Sequence, residues 1–442
     1  MLDATTTGLS GQAMHDLARR LFPICRSLTG RGVRETLAIL QEFLPALTLH
    51  EVPSGTRCFD WTVPDEWTIR DAYLAAPDGR KIVDFRNSNL HVVGYSEPVD
   101  QELSLEQLQA HLHSVPELPE AIPYVTSYYT RYWGFCLTER QRASLKPGNY
   151  RAVIDSELGP GSLTYGDLLI PGESPAEVLI STYVCHPSLA NNEISGPVVA
   201  MALAQWVEAL PQRRYSYRFF WGPETIGPIA YLSRHLAHLK RHVIAGFNVT
   251  CVGDDRAYSF MPSRLGGTLA DQVALHVLGR IAPEFRAYSF LDRGSDERQY
   301  CAPGVDLPVV SVMRSKYATY REYHTSLDDL SLVTPTGLQG GYQALRRCLE
   351  VLEANRTYRS TCLCEPQMGK RGLRKTLSAE GSPSGKYQKA EQFVRMDILA
   401  YCDGNHSVLD IAERLQLATW DIAPLVDELS RHGLIEEVQA AR

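Results

Sequence analysis

The stretch Ala176–Gly196, AEVLISTYVCHPSLANNEISG, constrains the fold more than any other part of the chain. Glu177–Val184 is an apolar, β-branched run, which predicts a strand buried on both faces. It breaks at Cys185-His186-Pro187-Ser188, because proline has no amide with which to continue a ladder. Asn191, Asn192 and Glu193 follow, and Ser195-Gly196 opens an apolar helical run from Pro197 to Leu210. Polar groups crowded between a strand's end and a helix's start occupy the position where α/β sheets bind ligands.

The same rhythm continues downstream. Strand 214–221 leads to helix 227–239, and strand 242–252 to helix 269–282. Strand 307–313 then leads to helix 335–354. This alternation predicts an α/β fold, a mostly parallel or mixed sheet with helices on both faces. Upstream, helical spacing covers 10–22 and 31–44, where Val33, Leu37, Leu40 and Leu44 form one apolar face and Pro45 ends it. Between them, 52–168 is built of short alternating runs such as Lys81–Phe85, Tyr124–Tyr129 and Tyr150–Ile154, separated by turns such as Pro77-Asp78-Gly79. A small β-rich domain is expected there, inserted into the α/β domain because the two preceding helices cannot bury themselves alone.

The expected domains are therefore 1–51 with 169–356 for the α/β part and 52–168 for the insertion. A linker of basic, Gly, Ser and Pro residues spans 357–385, and a winged helix-turn-helix occupies 386–442.

A net charge of -7 over 442 residues gives no overall case for nucleic acid or an anionic membrane as partner. No run approaches the roughly 18 apolar residues of a membrane span, and the N-terminus lacks the pattern of a signal peptide. The ten cysteines form no CxxC pair, and Cys362-x-Cys364 has no second pair. Reduced thiols in a cytoplasmic protein are the expectation. Residues 386–440 hold five Lys and Arg against ten Asp and Glu, a net of -5, which repels phosphates. The winged helix thus reads as a protein-contact or homo-oligomerisation module rather than a DNA reader.

The candidate chemistry lies at predicted strand ends: His186 and Glu193, Glu224 in Gly222-Pro223-Glu224-Thr225, Asp254 and Asp255, Asp296, and His324 in Tyr323-His324-Thr325-Ser326. A hydrolytic zinc needs a few nitrogen or oxygen ligands from separate loops, an open position for water and a carboxylate to take its proton. His186, Glu193 and His324 can supply the ligands and Glu224 the base. Each also has a plainer reading. His186 can cap its strand, and Glu193 and Glu224 can stabilise helix N-termini by their charge. His324 can bond within its own turn, and Asp254 and Asp255 can be solvated turn residues. The aromatic run Tyr128–Trp133 can build the insertion's core or line a cleft.

In order and spacing these segments resemble the co-catalytic zinc aminopeptidases. Those enzymes carry a His after one strand, Asp-Asn-x-Ser-Gly at a helix start, Glu-Glu-x-Gly after the next strand and a late Tyr-His-Thr. More closely, the whole chain resembles bacterial aminopeptidase-like proteins, which have a β-rich insertion in the peptidase domain and a C-terminal winged helix. Phe59–Pro64, His186–Glu193, Pro223–Gly227 and Glu322–Ser326 carry that match. The resemblance implies the phosphorylase/hydrolase-like α/β fold of zinc peptidases.

Departures from the aminopeptidase pattern are equally specific. Ser188 stands where an Asp follows the first His, Asn192 aligns with the bridging Asp, Thr225 replaces the second Glu, and the next strand's Asp falls near Thr250. His186, Glu224 and His324 remain, with Glu193 one place from the bridging position. Two His and one Glu suit a mononuclear zinc site. Asn192, Tyr323 and Asp296 are then expected to touch substrate or to orient ligands, Asp296 beside His324. The expected function is a mononuclear zinc hydrolase of an amide or peptide bond in a small substrate, with the insertion roofing the cleft. The alternative is a scaffold that has lost hydrolysis and binds a small ligand or a protein partner.

Overall fold

The structure is a computed structural model that describes residues 9–373 and 391–438. These form two compact units, one of residues 9–272 and 284–345, the other of 273–283, 346–373 and 391–438.

The first unit is organised by an eight-stranded mixed sheet. Its four central strands, Ser216–Gly222, Glu177–Tyr183, Val243–Asn248 and Val309–Met313, lie side by side in that order and run parallel. Antiparallel strands Ser162–Ile170 and Thr48–Pro53 extend one edge, and Ser259–Met261 with Arg286–Ala287 extends the other. Every residue of Glu177–Tyr183 and Ser216–Gly222 is buried, as in strands covered on both faces, and their two charged residues pair, Arg218 Nε donating to Glu177 Oε2 at 2.6 Å. From Glu177–Tyr183 the chain passes through helix Ser195–Glu208 to the neighbour on one side. Helix Ile226–His242 then brings it back to the neighbour on the other. The strand order reverses beside Glu177–Tyr183, and at such a point open α/β sheets bind ligands outside the carboxyl ends of their strands. Helices Gly11–Leu21 and Arg31–Phe43 bury Met14, Leu17 and Leu21, and Val33, Leu37 and Leu40.

The insertion begins and ends closer together than expected. Pro53 pairs with Ser162 in the main sheet, so the inserted part is 54–161 rather than 52–168. An antiparallel edge strand alternates with the same period as the insertion's own strands, which is why 162–168 read as part of it. Entry and exit are tied together, since Ser54 N donates to Gly161 O at 2.9 Å and Gly161 N to Ser54 Oγ at 3.0 Å. Inside is a four-stranded antiparallel sheet of Lys81–Asp84, Glu66–Ala75, Asn149–Gly159 and Val99–Ser104. Its core residues Trp67, Tyr95, Phe135 and Tyr150 are continuous with Leu163 and Phe220 of the main sheet and Tyr231 of helix Ile226–His242.

In the second unit, Thr357–Ser360 is the central strand of a three-stranded sheet, flanked by Asp403–Ser407 and Ile435–Glu437. The segment read as a linker therefore starts with structure; its part from 374 to 385 lies outside the described residues. Helices Glu391–Tyr401, Val408–Leu415 and Thr419–Arg431 pack on Ile398, Ile411, Ile422, Val426 and Leu429. No helix among the described residues is long and apolar enough to cross a membrane.

Candidate active site

Four loops at the strand ends carry the site, and each holds a non-glycine residue at positive φ: Ser188 (39°), Thr225 (68°), Cys251 (52°) and His324 (55°). Such backbone is strained, most of all for the β-branched Thr225, and persists only where the surroundings over-determine it. At Thr225 the restraints are explicit. Its amide donates to Asp296 Oδ1 at 2.7 Å, and its hydroxyl accepts from Arg298 Nη2 at 2.6 Å. These contacts fix the adjacent Glu224, whose own amide donates to Cys185 Sγ at 3.2 Å.

His186 stands at the centre. Its Nδ1 lies 2.7 Å from Glu193 Oε2, while its Nε2 faces Glu224 Oε2 at 3.7 Å. The ring of His324 is 5.5 Å away, centroid to centroid, and stacks on Tyr323 at 3.9 Å. Tyr124, from the insertion, packs against both imidazoles at 4.9 and 5.2 Å. The structure thus brings His186, Glu193, Glu224, His324 and Tyr323 together. It places Asp296 against Thr225 rather than beside His324, whose ring takes no hydrogen bond among the described residues.

Asn192 belongs to a neighbouring network. Its Nδ2 donates to the Tyr183 hydroxyl at 2.8 Å, which also meets Thr250 Oγ1 at 2.6 Å. Asp328 holds the start of the helix that carries Glu193. Its carboxylate accepts from the amides of Asn191 and Asn192 at 2.6 and 3.0 Å, across the π-helical turn Ala190–Ile194. Asp254, read as a solvated turn residue, is fully buried and accepts from Ser315 N, Ser315 Oγ and Asn191 Nδ2. An acidic pair after a strand does not reveal that partners from two distant loops enclose it.

The electrostatics of the site are those of a desolvated acidic cluster. Burial raises the Glu224 carboxyl above its ordinary range, opposed by His186 and Arg298. Burial, then the nearby Glu224, pushes Asp296 well above its own. Burial alone would lower His186, but Glu193 and Glu224 carry its pKa above the usual histidine value. His324 is pushed down to about 3 by burial and by His186, so it stays neutral.

This donor set fits a divalent cation. Among the described residues, the ligand atoms of Cys185, His186 and Glu193 come within 4.8 Å of one another, the neutral His324 ring lies 5.5 Å from that of His186, and Asp296 Oδ2 and Glu193 Oε1 are buried without hydrogen-bond partners. A cation would favour the charged carboxylates of Glu224 and Asp296, which burial now disfavours.

Arg26 escaped sequence reasoning, because an arginine in a loop between two helices carries no motif. Here it is buried, with Nε 2.9 Å from His186 O and 3.7 Å from Glu193 Oε1. Tyr124 was hidden in a period-two run that read only as strand.

Residues 15–355 match the family model described as Domain of unknown function (DUF4910), and 356–437 match a winged helix-turn-helix model. The chain is 41% identical over 430 residues to a Clostridium acetobutylicum protein, covering 97% of each. That relative is provisionally named a polysaccharide biosynthesis protein with an aminopeptidase-like domain. A crystal structure from the same organism, described as a provisional peptidase, matches with TM-score 0.90 and 40% identity over 97% of this chain and 96% of that one. A zinc aminopeptidase from Bacillus subtilis shares the fold at TM-score 0.56 and 11% identity, over 78% of this chain and 95% of that one. A peptidase-like α/β domain continued by a winged helix, matched along almost its whole length, places this chain in the bacterial aminopeptidase-like family described as Domain of unknown function (DUF4910).

Proposed function

We propose that the protein is a zinc-dependent hydrolase of an amide bond in a small substrate. The observation that carries this reading is the facing of His186 Nε2 and Glu224 Oε2 at 3.7 Å, with a neutral His324 ring 5.5 Å from that of His186. His186 Nε2 and His324 would supply nitrogen ligands. Of the two carboxylates with an unpartnered oxygen, Glu193 lies against the permanent cation Arg26, which disfavours a metal there. Glu193 would instead orient His186 through Nδ1, and Glu224 Oε2, 3.7 Å from His186 Nε2, is the carboxylate on the ligand side of that ring. Zinc, when bound, polarises the scissile carbonyl and makes a bound water acidic enough to react near neutral pH.

The remaining work falls to residues of the chain. Glu224 keeps 20% of its side-chain surface, so its carboxylate can reach a substrate while burial raises its proton affinity toward the working range of a general base. It takes the proton from the attacking water and passes it to the leaving nitrogen. Tyr124 closes the cleft over the two imidazoles, which favours a small substrate. The relative's name suggests an amide carried on a saccharide or its precursor as one such substrate. The acidic winged helix would serve protein contact, including contact with a second copy, rather than nucleic acid.

Zinc analysis of untagged protein tests the reading. About one zinc per chain is expected, lost in both His186→Ala and His324→Ala. Glu224→Gln should retain the metal and lower turnover by roughly 10²–10⁴-fold. Absence of zinc from wild type, even after reconstitution, would leave a ligand-binding scaffold as the better reading. Replacement of the aminopeptidase ligand positions by Asn192, Thr225 and Thr250 favours that second reading.

A further inference from the structure

We propose that Lys316 is a specificity-determining residue that holds a carboxylate or phosphate group carried by the substrate. It follows strand Val309–Met313, past the same carboxyl ends of the sheet where His186, Glu224 and His324 lie. Lys316 is 5% exposed, and lysine is seldom buried so far unless an acid pairs with it. Here the ammonium donates to Tyr317 O at 3.2 Å and forms no ion pair among the described residues. The faces of Tyr317 and Tyr288 stand 3.9 and 5.4 Å from it. These π faces offset part of the lost hydration, yet burial still lowers the lysine below its ordinary pKa.

The acids whose charge reaches Lys316 are committed elsewhere. Glu297 Oε1 accepts from Gly294 N, Ser295 N and the Tyr317 hydroxyl, and its Oε2 accepts from Asn248 Nδ2. Asp292 caps its own turn, accepting from Ser289 N at 3.0 Å. An ammonium has three donors, so most of its hydrogen-bonding capacity remains for an acceptor from outside the chain. The side chains around it lead back to the candidate site. Tyr317, Tyr320 and Cys251 share one buried cluster, with Tyr288 and Tyr323 packed against it. Tyr320 meets Tyr323 at 5.6 Å, and Tyr323 stacks on His324 at 3.9 Å. A substrate with its amide beside His186 and Glu224 extends along these tyrosines to place an anion at Lys316. Glu193, Glu224 and Asp296 repel an anion at the reacting end, so opposite signs at the two ends fix which way round the substrate enters. For the place of the amide this inference rests on the proposed function; for anion binding it does not.

Calorimetric titration of the full chain tests this, after chelation so that no metal ion can hold the anion. The probes are N-acetylglycine, methyl phosphate and the neutral N-acetylglycinamide. One of the two anions is expected to bind in the millimolar range and the neutral amide not to bind; which anion binds names the group on the substrate. Lys316→Met removes the charge at similar volume and should weaken that anion by roughly tenfold or more, as loss of a hydrogen bond to a charged group does. Lys316→Gln should do the same. Urea midpoints of both variants should be no lower than that of wild type, because a buried charge without a counter-ion has been removed. With zinc restored, KM for an amide bearing that anion should rise in Lys316→Met, while kcat and the KM of its neutral counterpart stay unchanged. Failure of both anions to bind wild type, equal affinity in Lys316→Met, or a lowered midpoint in both variants would make Lys316 a packing residue and overturn the proposal. If no amide is turned over, the hydrolase reading fails while the titrations still decide this one.

Discussion

The phenol ring of Tyr124, on the insertion, packs 4.9 Å from the imidazole of His186 on the central sheet. The contact is held at both ends. Tyr124 N donates to His324 O at 2.8 Å, Pro123 bridges to Thr325, and the Tyr124 hydroxyl meets that of Tyr128 at 2.5 Å. The insertion is therefore stitched to the loop carrying one candidate ligand and packed at a tilt against the other. Its ends, 54 and 161, are clamped together at the sheet edge, so the insertion is anchored at two places.

Removing the Tyr124 contact should change selectivity more than chemistry. Tyr124→Ala loses a ring contact of about 1 kcal/mol, which corresponds to a five- to tenfold rise in KM for a small amide. Longer amides should gain relative to short ones, because the closed side of the cleft is opened. Tyr124→Phe keeps the ring and should behave like wild type. Steady-state kinetics on a pair of amides differing in length checks this; an unchanged ratio in the alanine variant would remove Tyr124 from the roof.

Asp328 should leave a signature in the pH dependence of stability. Burial raises its carboxyl from 3.8 to about 6, despite the amides of Asn191 and Asn192 and the Tyr320 hydroxyl that donate to it. The folded state thus binds more protons than the unfolded state between these values, and its stability falls as pH rises through that window. Two pKa units correspond to roughly 3 kcal/mol. Urea unfolding of metal-free wild type and Asp328→Asn at intervals from pH 4 to 7 should show their difference changing by about that amount. Parallel curves would rule out the titration.

Much of this was legible in the chain. Glu177–Val184 reads as a doubly buried strand because no residue after Glu177 carries a charge to hold toward water, and strand–helix alternation left few topologies to consider. His186, Glu224 and His324 were visible because each punctuates the end of a regular element. Other features were not, and the reasons are physical. Burial of Arg26 depends on Glu193, 167 positions away in the sequence, so local pattern reads it as a solvated loop residue. Asp254 is enclosed by Ser315 and Asn191, neither near it in sequence. Asp296 was expected beside His324, yet the amide of a strained Thr225 captures it. Backbone strain is a property of the assembled fold and has no residue code outside glycine.

Gly196 should be the least tolerant position in the opening stretch. A Cβ there would meet Val249 O at 2.3 Å and Thr182 Oγ1 at 2.4 Å, so the helix that follows Glu193 sits directly on the strand ends. Backbone oxygen cannot yield as a side chain can. Gly196→Ala is expected to lower unfolding free energy by about 3 kcal/mol through overpacking, measurable by urea titration. The helix can relieve the clash only by moving, and Glu193 moves with it. Zinc affinity should therefore fall together with stability, whereas a variant of wild-type stability would show that the helix has room to shift.

The winged helix should fail to bind duplex DNA. Its third helix, Thr419–Arg431, carries Asp421, Asp427 and Glu428 against Arg431 alone, and Arg395 Nη2 is already 2.6 Å from Glu428. Its outward residues Trp420, Pro424, Asp427 and Arg431 line a groove with Glu350, Val351 and Ala354 of the same unit, so that face is turned toward protein. Specific DNA affinity depends on Lys and Arg displacing counterions, and this surface presents the opposite sign. Mobility shift of a random 30-base-pair duplex with the full chain should show no complex at micromolar protein in ~100 mM salt. Reversing the charge at Asp421, Asp427 and Glu428 to Lys should produce weak binding that disappears as salt is raised. Tight binding by the wild-type chain would mean that another face of the winged helix contacts DNA.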